Sequence, residues 1–379
     1  MVSKQSYMKQ IAILGTTPDL SALELESLNV LKKWSGGNIA ELSNDVDINI
    51  LGGTIKICTV VDEISRDLAG LDIFKKYLTG ENKIRFGFSV YAGENAMTDN
   101  IVKHYAKKLE RIGIDWKKEV RATGKSIRYV SSKEPALSSV IVQKEHLLDN
   151  QTDFCLVLYN KSILLARTTS VQPFRDFSKR DYGRPQRDHH SGMLPPKIAR
   201  MMINISQPNL DDTILDPFCG SGTILQEALL SGYKNVIGSD ISKKSILDTT
   251  DNLAWLNLPK IPLHVSDVKD IKNILGKESI NRVVAEGYLG PLRPKKTDKV
   301  HRQMIKLYEE TFLALTDILA PQARIVLAVP AWRRHDDTLT LPLAKYYTKL
   351  NYSQFHEPIF YSRPEARVVR KILFLTYQG

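Results

Sequence analysis

The stretch Ile214–Thr223, ILDPFCGSGT, decides the fold of this 379-residue chain. It predicts an apolar strand that ends at Asp216, a loop of small residues, and a helix that begins near Thr223. Gly220 and Gly222 allow tight backbone geometry and the close approach of a ligand. Because doubly wound sheets bind ligands beyond the carboxyl ends of their strands, the loop predicts a ligand site at the top of the first strand.

Two familiar phosphate-binding loops do not fit this stretch. A Walker loop would continue as Gly-Lys-Ser or Gly-Lys-Thr, which is absent here. The dinucleotide fingerprint needs a third glycine where Leu225 stands. A pyrophosphate-binding site and a dinucleotide-dependent oxidoreductase are therefore disfavoured.

Carboxylates follow three successive predicted strands. Asp240 ends the second strand and can accept hydrogen bonds from two ribose hydroxyls, while Asp267 follows the third and can bind an adenine amine. Each alone would more often be a helix cap or loop residue, but the ordered set indicates a nucleoside-bearing cation. The predicted cofactor residues are Asp216, Pro217, Phe218, Gly220, Gly222, Thr223, Asp240, Ile241, Asp267 and Val268.

The second half of the chain alternates strands and helices, which predicts a doubly wound, mostly parallel sheet. The predicted strands are Thr213–Asp216, Val236–Asp240, Leu263–Asp267, Arg282–Glu286 and Ala323–Val329. The predicted helices are Thr223–Ser231, Lys244–Asn257 and Lys299–Leu319. Two further apolar stretches, Phe355–Tyr361 and Lys371–Tyr377, are expected to form an antiparallel hairpin at the sheet edge.

The first half has an α+β pattern without a glycine-rich phosphate loop, which favours a binding region. Strands are predicted at Gln10–Gly15, Thr54–Val61, Ile84–Tyr91, Ser126–Val130, Ser138–Gln143 and Phe154–Tyr159. Helices are predicted at Leu20–Trp34, Ile64–Leu71 and Thr98–Ile112.

The net charge of +11 is concentrated between the two halves. Residues 166–210 contain 8 basic and 3 acidic side chains, which leaves +5. Basic groups can pair with phosphates and aromatic faces can stack on bases, although a solvated linker is the simpler interpretation of such a run. The basic run precedes the cofactor stretch, which favours contact with a polyanion.

Several classes of protein are disfavoured. Three cysteines without a Cys-x-x-Cys pair cannot form a disulfide framework, so a reducing, cytoplasmic compartment is expected. No apolar run reaches the roughly 18 residues of a membrane-spanning helix. We also expect no secretory signal, because no apolar segment of suitable length follows the charged start.

The stretch DPFCGSGT resembles motif I of S-adenosylmethionine-dependent methyltransferases that act on nucleic-acid amino groups. More narrowly, the chain resembles the THUMP-containing tRNA guanine-N2 methyltransferases that modify position 10. Supporting stretches are LGTTPDLSALELESL at 14–28, SSVIV at 138–142 and SKRDYGRPQRDHHSGMLPPKIARMMIN at 178–204.

The resemblance implies a domain order as well as a cofactor. It implies a ferredoxin-like α+β region at 1–80, a THUMP-like RNA-binding domain at 81–165, a basic linker at 166–195 and a Rossmann-like methyltransferase domain with a mostly parallel seven-stranded sheet at 196–379. It also implies S-adenosylmethionine as cofactor and tRNA as partner, held through its acceptor end.

Enzymes of this type carry an Asp-Pro-Pro-Tyr or Asn-Pro-Pro-Tyr tetrapeptide after the fourth strand. An acceptor there bonds the exocyclic N–H and frees the nitrogen lone pair, and the aromatic ring stacks on a flipped base. Here Ala285-Glu286-Gly287-Tyr288 occupies the position. We therefore expect Glu286, Gly287 and Tyr288 to form the reaction site, with Glu286 as a displaced carboxylate or as a loop residue.

The remaining candidates come from the basic run and from scattered side chains. Arg180, Arg184 and Arg187 are expected to bind phosphate or to order the loop over the cofactor, with Tyr182 beside them. Asp188, His189 and His190 lack further ligands at metal-site spacing, so no metal is predicted. Cys219 is expected to be a packing residue. Trp332, Arg333 and Arg334 are expected in a substrate loop or a surface turn.

The sequence thus predicts a methyltransferase that acts on a guanine N2 amine of tRNA. Two alternatives stay open: a catalytically weak tRNA-binding protein that keeps the fold, and an amine methyltransferase of ribosomal RNA or DNA. A small activator subunit is left open as a partner, and no membrane partner is expected.

Overall fold

The computed structural model of the protein describes residues 9–80, 83–94, 98–187, 193–291, 297–333, 337–362, 366 and 368–379. The chain divides after Arg175 into two compact units, Met1–Arg175 and Asp176–Gly379.

The first unit is built on a mixed sheet, which among the described residues has eight strands in the order β2-β3-β1-β4-β8-β7-β5-β6. Strand β5 pairs in parallel with β6 and β7, and the other pairs are antiparallel. The elements are β1 (Gln10–Leu14), α1 (Pro18–Ser27), β2 (Leu31–Trp34), β3 (Ile39–Leu42), β4 (Thr54–Ser65), β5 (Ile84–Ala92), α2 (Asp99–Ala122), β6 (Ile127–Val130), α3 (Ser139–Lys144), β7 (Asp153–Leu158) and β8 (Ser162–Val171). Short 3₁₀ helices occupy Ile48–Ile50 and Leu71–Tyr77.

Helix α2 follows from its sequence period. Its buried side chains include Val102, Tyr105, Leu109 and Trp116, which recur at spacings of three, four and seven residues and so form one apolar stripe. The stripe packs in one cluster with the aromatic side chains of β5 and β7. The prediction of a helix at Thr98–Ile112 is confirmed, and the helix continues to Ala122.

Three predicted elements of the first unit are wrong. The predicted helix Leu20–Trp34 ends at Ser27, and its last residues form β2 after Asn29 takes a left-handed conformation that asparagine tolerates. No helix forms over the predicted range Ile64–Leu71: Ile64 and Ser65 end β4, where Ile64 pairs with Ile163 of β8, and the next short helix begins only at Leu71. The predicted strand Ser138–Gln143 is helix α3, because the Ser138 hydroxyl caps it by accepting the N–H of Ile141 at 3.3 Å.

The second unit begins within α4 (Phe174–Tyr182), a helix that spans the division of the chain. The following elements are α5 (Pro196–Ser206), β9 (Ile214–Asp216), α6 (Thr223–Leu230), β10 (Val236–Asp240), α7 (Lys243–Trp255), β11 (Leu263–Val265), β12 (Ile280–Glu286), α8 (Thr297–Thr316), β13 (Leu319–Arg333), β14 (Thr338–Thr340), α9 (Ala344–Tyr347), β15 (Tyr352–Tyr361) and β16 (Val368–Tyr377). Short 3₁₀ helices lie at Val268–Asn273 and Thr348–Leu350.

The sheet of the second unit confirms the predicted doubly wound architecture. In the described part of the chain, seven strands follow the order β11-β10-β9-β12-β13-β16-β15, and β14 pairs with β13 beside them. The five strands β9, β10, β11, β12 and β13 run parallel to one another, whereas β16 is antiparallel to both β13 and β15. The order reverses next to β9, so the carboxyl ends of β9, β10 and β12 meet at a topological switch point. The predicted edge hairpin is β15 and β16.

The apolar core of this unit fixes the strand ends around that point. Tyr308, Phe312 and Leu315 of α8 are fully buried against β12 and β13. Burial of apolar surface stabilises a fold by about 25 cal/mol for each Å² removed from water. These three side chains therefore anchor β12 and fix the position of the residues that follow it.

The positions of the helices and strands do not test the predicted domain boundaries. The first sheet contains strands from both 1–80 and 81–165, and the expected linker 166–195 contains the end of β8 and all of α4. The separate ferredoxin-like and THUMP-like regions stay predictions. Among the described residues, no helix has both the length and the apolar character that crossing a membrane requires.

Candidate functional site

The loop between β9 and α6 is held open by backbone geometry. Gly220 and Gly222 have φ of 51° and 82°, which disfavours other residues. At Gly220 a Cβ would find only the Phe218 carbonyl oxygen within 4 Å, at 3.9 Å, so the backbone there faces open space. At Gly222 a Cβ would lie 2.9 Å from Thr249 Cγ2. Gly222 therefore packs closely on Thr249, and it is at Gly220 that a ligand can approach the loop backbone.

Asp216 ends β9 at the bottom of this loop. Its Oδ1 accepts the N–H of Phe218 at 3.1 Å, and the residue is almost fully buried. Burial raises the pKa of Asp216 well above its ordinary value, and the neighbouring carboxylates Asp240 and Glu286 raise it further, whereas the Phe218 N–H opposes the shift. A nearby cation would relieve this concentration of negative charge.

Asp240 joins two strand ends. Its Oδ2 accepts the N–H of Gly220 at 3.0 Å and its Oδ1 accepts the N–H of Ser242 at 2.8 Å. Each oxygen keeps a second lone pair that can accept a hydroxyl hydrogen. The next residue, Ile241, is 71% exposed and presents an apolar side chain at the top of the sheet.

The Asp267 carboxylate is bound within the protein by Lys269. Its Oδ1 accepts the N–H of Lys269 at 3.2 Å and caps the short helix that starts at Val268, which is buried. Its Oδ2 also forms an ion pair with Lys269 Nζ at 3.2 Å. These contacts fit the simpler interpretation of a helix cap, and its cofactor role stays a prediction.

A small cavity lies between the loop and the end of β12. It is lined by Asp216, Phe218, Cys219, Gly220, Ser221, Thr223, Ile224 and Glu286, together with Met193 and Leu194 from the segment before α5. Carboxylates, open backbone and apolar side chains meet in this cavity of about 80 Å³, which suits one part of a nucleoside-bearing cation. Cys219 is 5% exposed and burial raises its thiol pKa, which agrees with a packing role.

Glu286 ends β12 at the rim of this cavity and is paired with a residue that the sequence analysis missed. Arg370 of β16 donates from Nε to Glu286 Oε1. Arg370 stands in the apolar strand VVRKILFLTY, and an arginine in such a strand indicates a buried partner. That signal could have identified it.

The backbone after Glu286 is also fixed. The N–H of Gly287 donates to the Ala328 carbonyl oxygen at 3.0 Å, and the Tyr308 hydroxyl donates to the Tyr288 carbonyl oxygen at 2.9 Å. A Cβ at Gly287 would lie 2.7 Å from Tyr308 Cε1, so the buried Tyr308 ring leaves no room for a larger residue. Tyr288 itself is 52% exposed, so its ring is free to meet an incoming base.

The arginines of the basic run are mostly buried. Arg180 Nε donates to Glu227 Oε1 at 2.5 Å, and Arg200 Nη2 donates to Glu227 Oε2 at 2.8 Å. Glu227 is an acid within the apolar helix TILQEALL, a signal that the sequence analysis did not use. Because Arg180 is committed to Glu227, the ordering role that we expected for it fits better than phosphate contact.

The other three predicted substrate residues, Tyr182, Arg184 and Arg187, differ in the exposure of their side chains. Arg184 is buried and donates from Nη1 to the Thr223 hydroxyl at 2.7 Å. Tyr182 is 63% exposed, and the Arg187 guanidinium lies 5.6 Å from its ring centre. Tyr182 is thus exposed and Arg187 half-buried, and the substrate role of both stays a prediction.

The weaker candidates fall elsewhere. Trp332 and Arg333 lie within β13 and pair with β14, so the expectation of a loop or turn is wrong for both. Arg334, Asp188, His189 and His190 lie outside the described residues. Within the described part of the chain, no group of three potential metal ligands occurs.

Two family descriptions match parts of this chain. The UPF0020 family description, an RMKL-like methyltransferase domain, matches residues 184–342. A DNA methylase family description, N6_N4_Mtase, matches residues 89–250.

Two curated relatives are named tRNA (guanine(10)-N2)-dimethyltransferase. The protein from Methanothermobacter thermautotrophicus is 32% identical over 39% of this chain and 44% of its own length. The protein from Methanocaldococcus jannaschii is 27% identical over 59% of this chain and 69% of its own length. The chain thus aligns with less than half of the first of these relatives.

Two solved structures share the fold at low identity. TrmN from Thermus thermophilus covers 98% of this chain and 100% of that chain with a TM-score of 0.59 at 17% identity. SMU.472, solved in complex with SAH, covers 98% of both chains with a TM-score of 0.52 at 13% identity.

The solved structures show that the chain shares the fold of Rossmann-like methyltransferases. Residues 184–342 match the UPF0020 methyltransferase-domain description, and the named relatives confirm the resemblance to tRNA guanine-N2 methyltransferases. The THUMP element stays a prediction.

Proposed function

We propose that the protein transfers a methyl group from S-adenosylmethionine to the exocyclic N2 amine of a guanine in tRNA, with position 10 as the target. The single observation that carries the proposal is the placement of Glu286 and Tyr288 at the end of β12, beside the cavity that Asp216 and Gly220 line. The names of the relatives support the choice of nucleotide.

The cofactor residues have separate tasks. Asp240 accepts the ribose hydroxyls, the open backbone at Gly220 allows close approach, and Ile241 covers an apolar face of the adenine. Asp216 and Glu286 stabilise positive charge in the cavity. When bound there, the cofactor supplies an activated methyl group on a sulfonium.

The reaction residues position the amine. The Glu286 carboxylate, fixed by Arg370, accepts an N–H of the guanine amine and directs its lone pair toward the cavity. Tyr288 stacks on the extruded base. Alignment of the nitrogen with the methyl group supplies much of the rate enhancement.

Tyr182 and Arg187 are assigned to substrate binding. Arg180 and Arg184 are assigned to holding in place the segment that precedes the cofactor loop. The first unit is proposed to hold the acceptor end of tRNA through its predicted THUMP-like part. A cytoplasmic location belongs to the same proposal, because tRNA is modified there.

The test is methyl transfer to a defined tRNA. A transcript with guanine at position 10 and a matched transcript with adenine there are incubated with the protein and the methyl donor. Mass spectrometry of the nucleosides should find N2-methylated guanosine only with the first transcript, and much less of it with the Glu286→Gln variant.

One observation favours a second candidate, a tRNA-binding protein with weak catalysis. Ala285 stands where the resembling enzymes carry an Asp or Asn, so Glu286 is the only side chain of this tetrapeptide that can accept the amine N–H as a carboxylate. Tight tRNA binding without methyl incorporation would favour this candidate over the methyltransferase.

A further inference from the structure

Residues 287–290 form a loop after β12 that packs against helix α8 at both of its ends. Met304 and Tyr308 are four residues apart and so lie on one face of α8. A Cβ at Gly290 would lie 3.6 Å from Met304 Sδ. A Cβ at Gly287 would lie 2.9 Å from Tyr308 Cζ, which is too close for a side chain. The two glycines thus let the backbone of the loop lie directly against α8.

The two residues between these glycines face in opposite directions. The Leu289 side chain is half-buried and packs against the apolar cluster that contains Met304 and Tyr308. The Tyr288 side chain is exposed, yet its carbonyl oxygen accepts the hydroxyl hydrogen of Tyr308 at 2.9 Å. The backbone of Tyr288 is therefore tied to α8 while its ring projects away from the core.

The Tyr308 hydroxyl is a fixed donor. Tyr308 is fully buried, so neighbouring side chains hold its ring in place. Burial raises the pKa of Tyr308 well above its ordinary value, and the nearby Glu286 carboxylate raises it further. The phenol thus stays protonated at neutral pH and can donate to the Tyr288 carbonyl oxygen throughout the working range of the protein.

Hydrogen bonds on both sides of Tyr288 fix the direction of its side chain. The N–H of Gly287 donates to the Ala328 carbonyl oxygen at 3.0 Å, before Tyr288, and the Tyr308 bond holds the peptide after it. With both peptides held, only rotation about the side-chain bonds of Tyr288 remains. A ring that must hold a base within reach of Glu286 needs such a fixed direction, because small errors of placement slow a reaction strongly.

We propose that Tyr308 is a positioning residue for methyl transfer. Its hydroxyl sets the direction of the Tyr288 ring, and this ring sets the orientation of the extruded guanine against Glu286. Tyr308 acts through Tyr288 and not by contact with the base. The inference rests on the proposed function, and it names the group that orients the target base.

The test removes one hydroxyl. Tyr308→Phe keeps the ring that fills the core and leaves the Tyr288 carbonyl oxygen without its donor. The single-turnover rate of methyl transfer to the transcript with guanine at position 10 should fall by about fivefold to fiftyfold. Affinity for S-adenosylmethionine, measured by calorimetry, should change less than about threefold, because the hydroxyl does not act on the cofactor.

A second background shows whether Tyr308 acts through Tyr288. Tyr288→Ala removes the ring that Tyr308 is proposed to direct. In this background, Tyr308→Phe should slow methyl transfer by less than about twofold. A hydroxyl that only supports the fold would slow the reaction by the same factor in both backgrounds.

Tyr352→Phe is the matched control. Tyr352 is 2% exposed, and its hydroxyl donates to the carbonyl oxygen of Phe312, one turn further along α8, also at 2.9 Å. Denaturant unfolding should show similar losses of stability in Tyr352→Phe and Tyr308→Phe, because each loses one buried hydroxyl. The rate of methyl transfer should fall only in Tyr308→Phe.

Three results would overturn the inference. The first is an unchanged rate in Tyr308→Phe while the unmodified protein methylates the transcript, and this result leaves the proposed function intact. The second is an equal loss of rate in both Tyr288 backgrounds, or a joint loss of S-adenosylmethionine affinity and of stability beyond that of Tyr352→Phe, which would show a structural role. The third is no methyl transfer by the unmodified protein, with which the proposed function fails as well.

Discussion

Arg370 of β16 donates a hydrogen bond to Glu286 of β12 although β13 lies between the two strands. Arg370 is 6% exposed, so water compensates little for its loss. The arginine therefore fixes the carboxylate that stands at the reaction position and balances its charge.

Removal of Arg370 should impair methyl transfer more than cofactor binding. We expect Arg370→Met to lower kcat by about tenfold to a hundredfold, since a charge-assisted hydrogen bond contributes about 1.5–3 kcal/mol. Single-turnover kinetics and calorimetry with S-adenosylmethionine measure the two effects. The effects of the two substitutions on the rate of methyl transfer should be non-additive. The double variant Arg370→Met with Glu286→Gln should be little slower than Glu286→Gln alone. Additive losses would contradict a direct role of the pair.

Gly287 should tolerate no side chain. We expect Gly287→Ala to destabilise the fold by about 1–3 kcal/mol, because the new Cβ would overlap the buried Tyr308 ring. Denaturant unfolding followed by tryptophan fluorescence measures the change. Gly276→Ala is the matched control, since nothing lies within 4 Å of its Cβ position. Equal stability of the two variants would show that the Tyr308 ring moves aside.

Asp240 should contribute to cofactor affinity through its position at the second strand end. Asp240→Ala removes the acceptor of two loop N–H groups and of the proposed ribose contact. We expect S-adenosylmethionine to bind about tenfold to a hundredfold more weakly. Asp270→Ala, at an exposed carboxylate near the next strand end, is the control. Unchanged affinity in Asp240→Ala by calorimetry would refute the assignment.

The raised pKa of Asp216 predicts a dependence of stability on pH. Because its pKa in the folded state exceeds the unfolded value of about 3.9, its contribution to stability is complete below about pH 4 and is lost as the pH rises through the folded pKa. Asp216→Asn should therefore raise the free energy of unfolding at neutral pH, and the gain should vanish toward about pH 4. Thermal unfolding of both proteins between these pH values tests this. A constant difference, as expected for the exposed Asp270→Asn, would exclude burial of the charge as its cause.

The site residues that could be predicted are those whose chemistry is local in sequence. Gly220, Gly222 and Asp240 follow from a strand end, a tight turn and a helix start, all within short stretches. Arg370 could not be paired with Glu286 in advance, because 84 residues separate them and only the sheet order brings them together.

The same reason explains the errors. The sequence could not decide whether Arg180 binds phosphate or orders the loop over the cofactor, because its partner Glu227 lies 47 residues away. The end of β4 looked helical because its pairing with β8 depends on residues about a hundred positions later. Periodicity predicts the faces of an element, but pairing across a sheet decides whether a short apolar segment becomes a strand.

Tyr182 and Arg187 should contribute to tRNA binding in different ways. The exposed Tyr182 ring offers a stacking surface, and we expect Tyr182→Ala to weaken tRNA binding by about 1–3 kcal/mol at all salt concentrations. Arg187→Met should lower the slope of log affinity against log salt by about one, as expected for one lost phosphate contact. Fluorescence anisotropy with labelled tRNA between low and physiological salt measures both. Phe360→Ala, at an exposed aromatic residue of the edge strand β15, is the control and should change neither. An affinity that does not depend on salt in the unmodified protein would contradict phosphate contacts altogether.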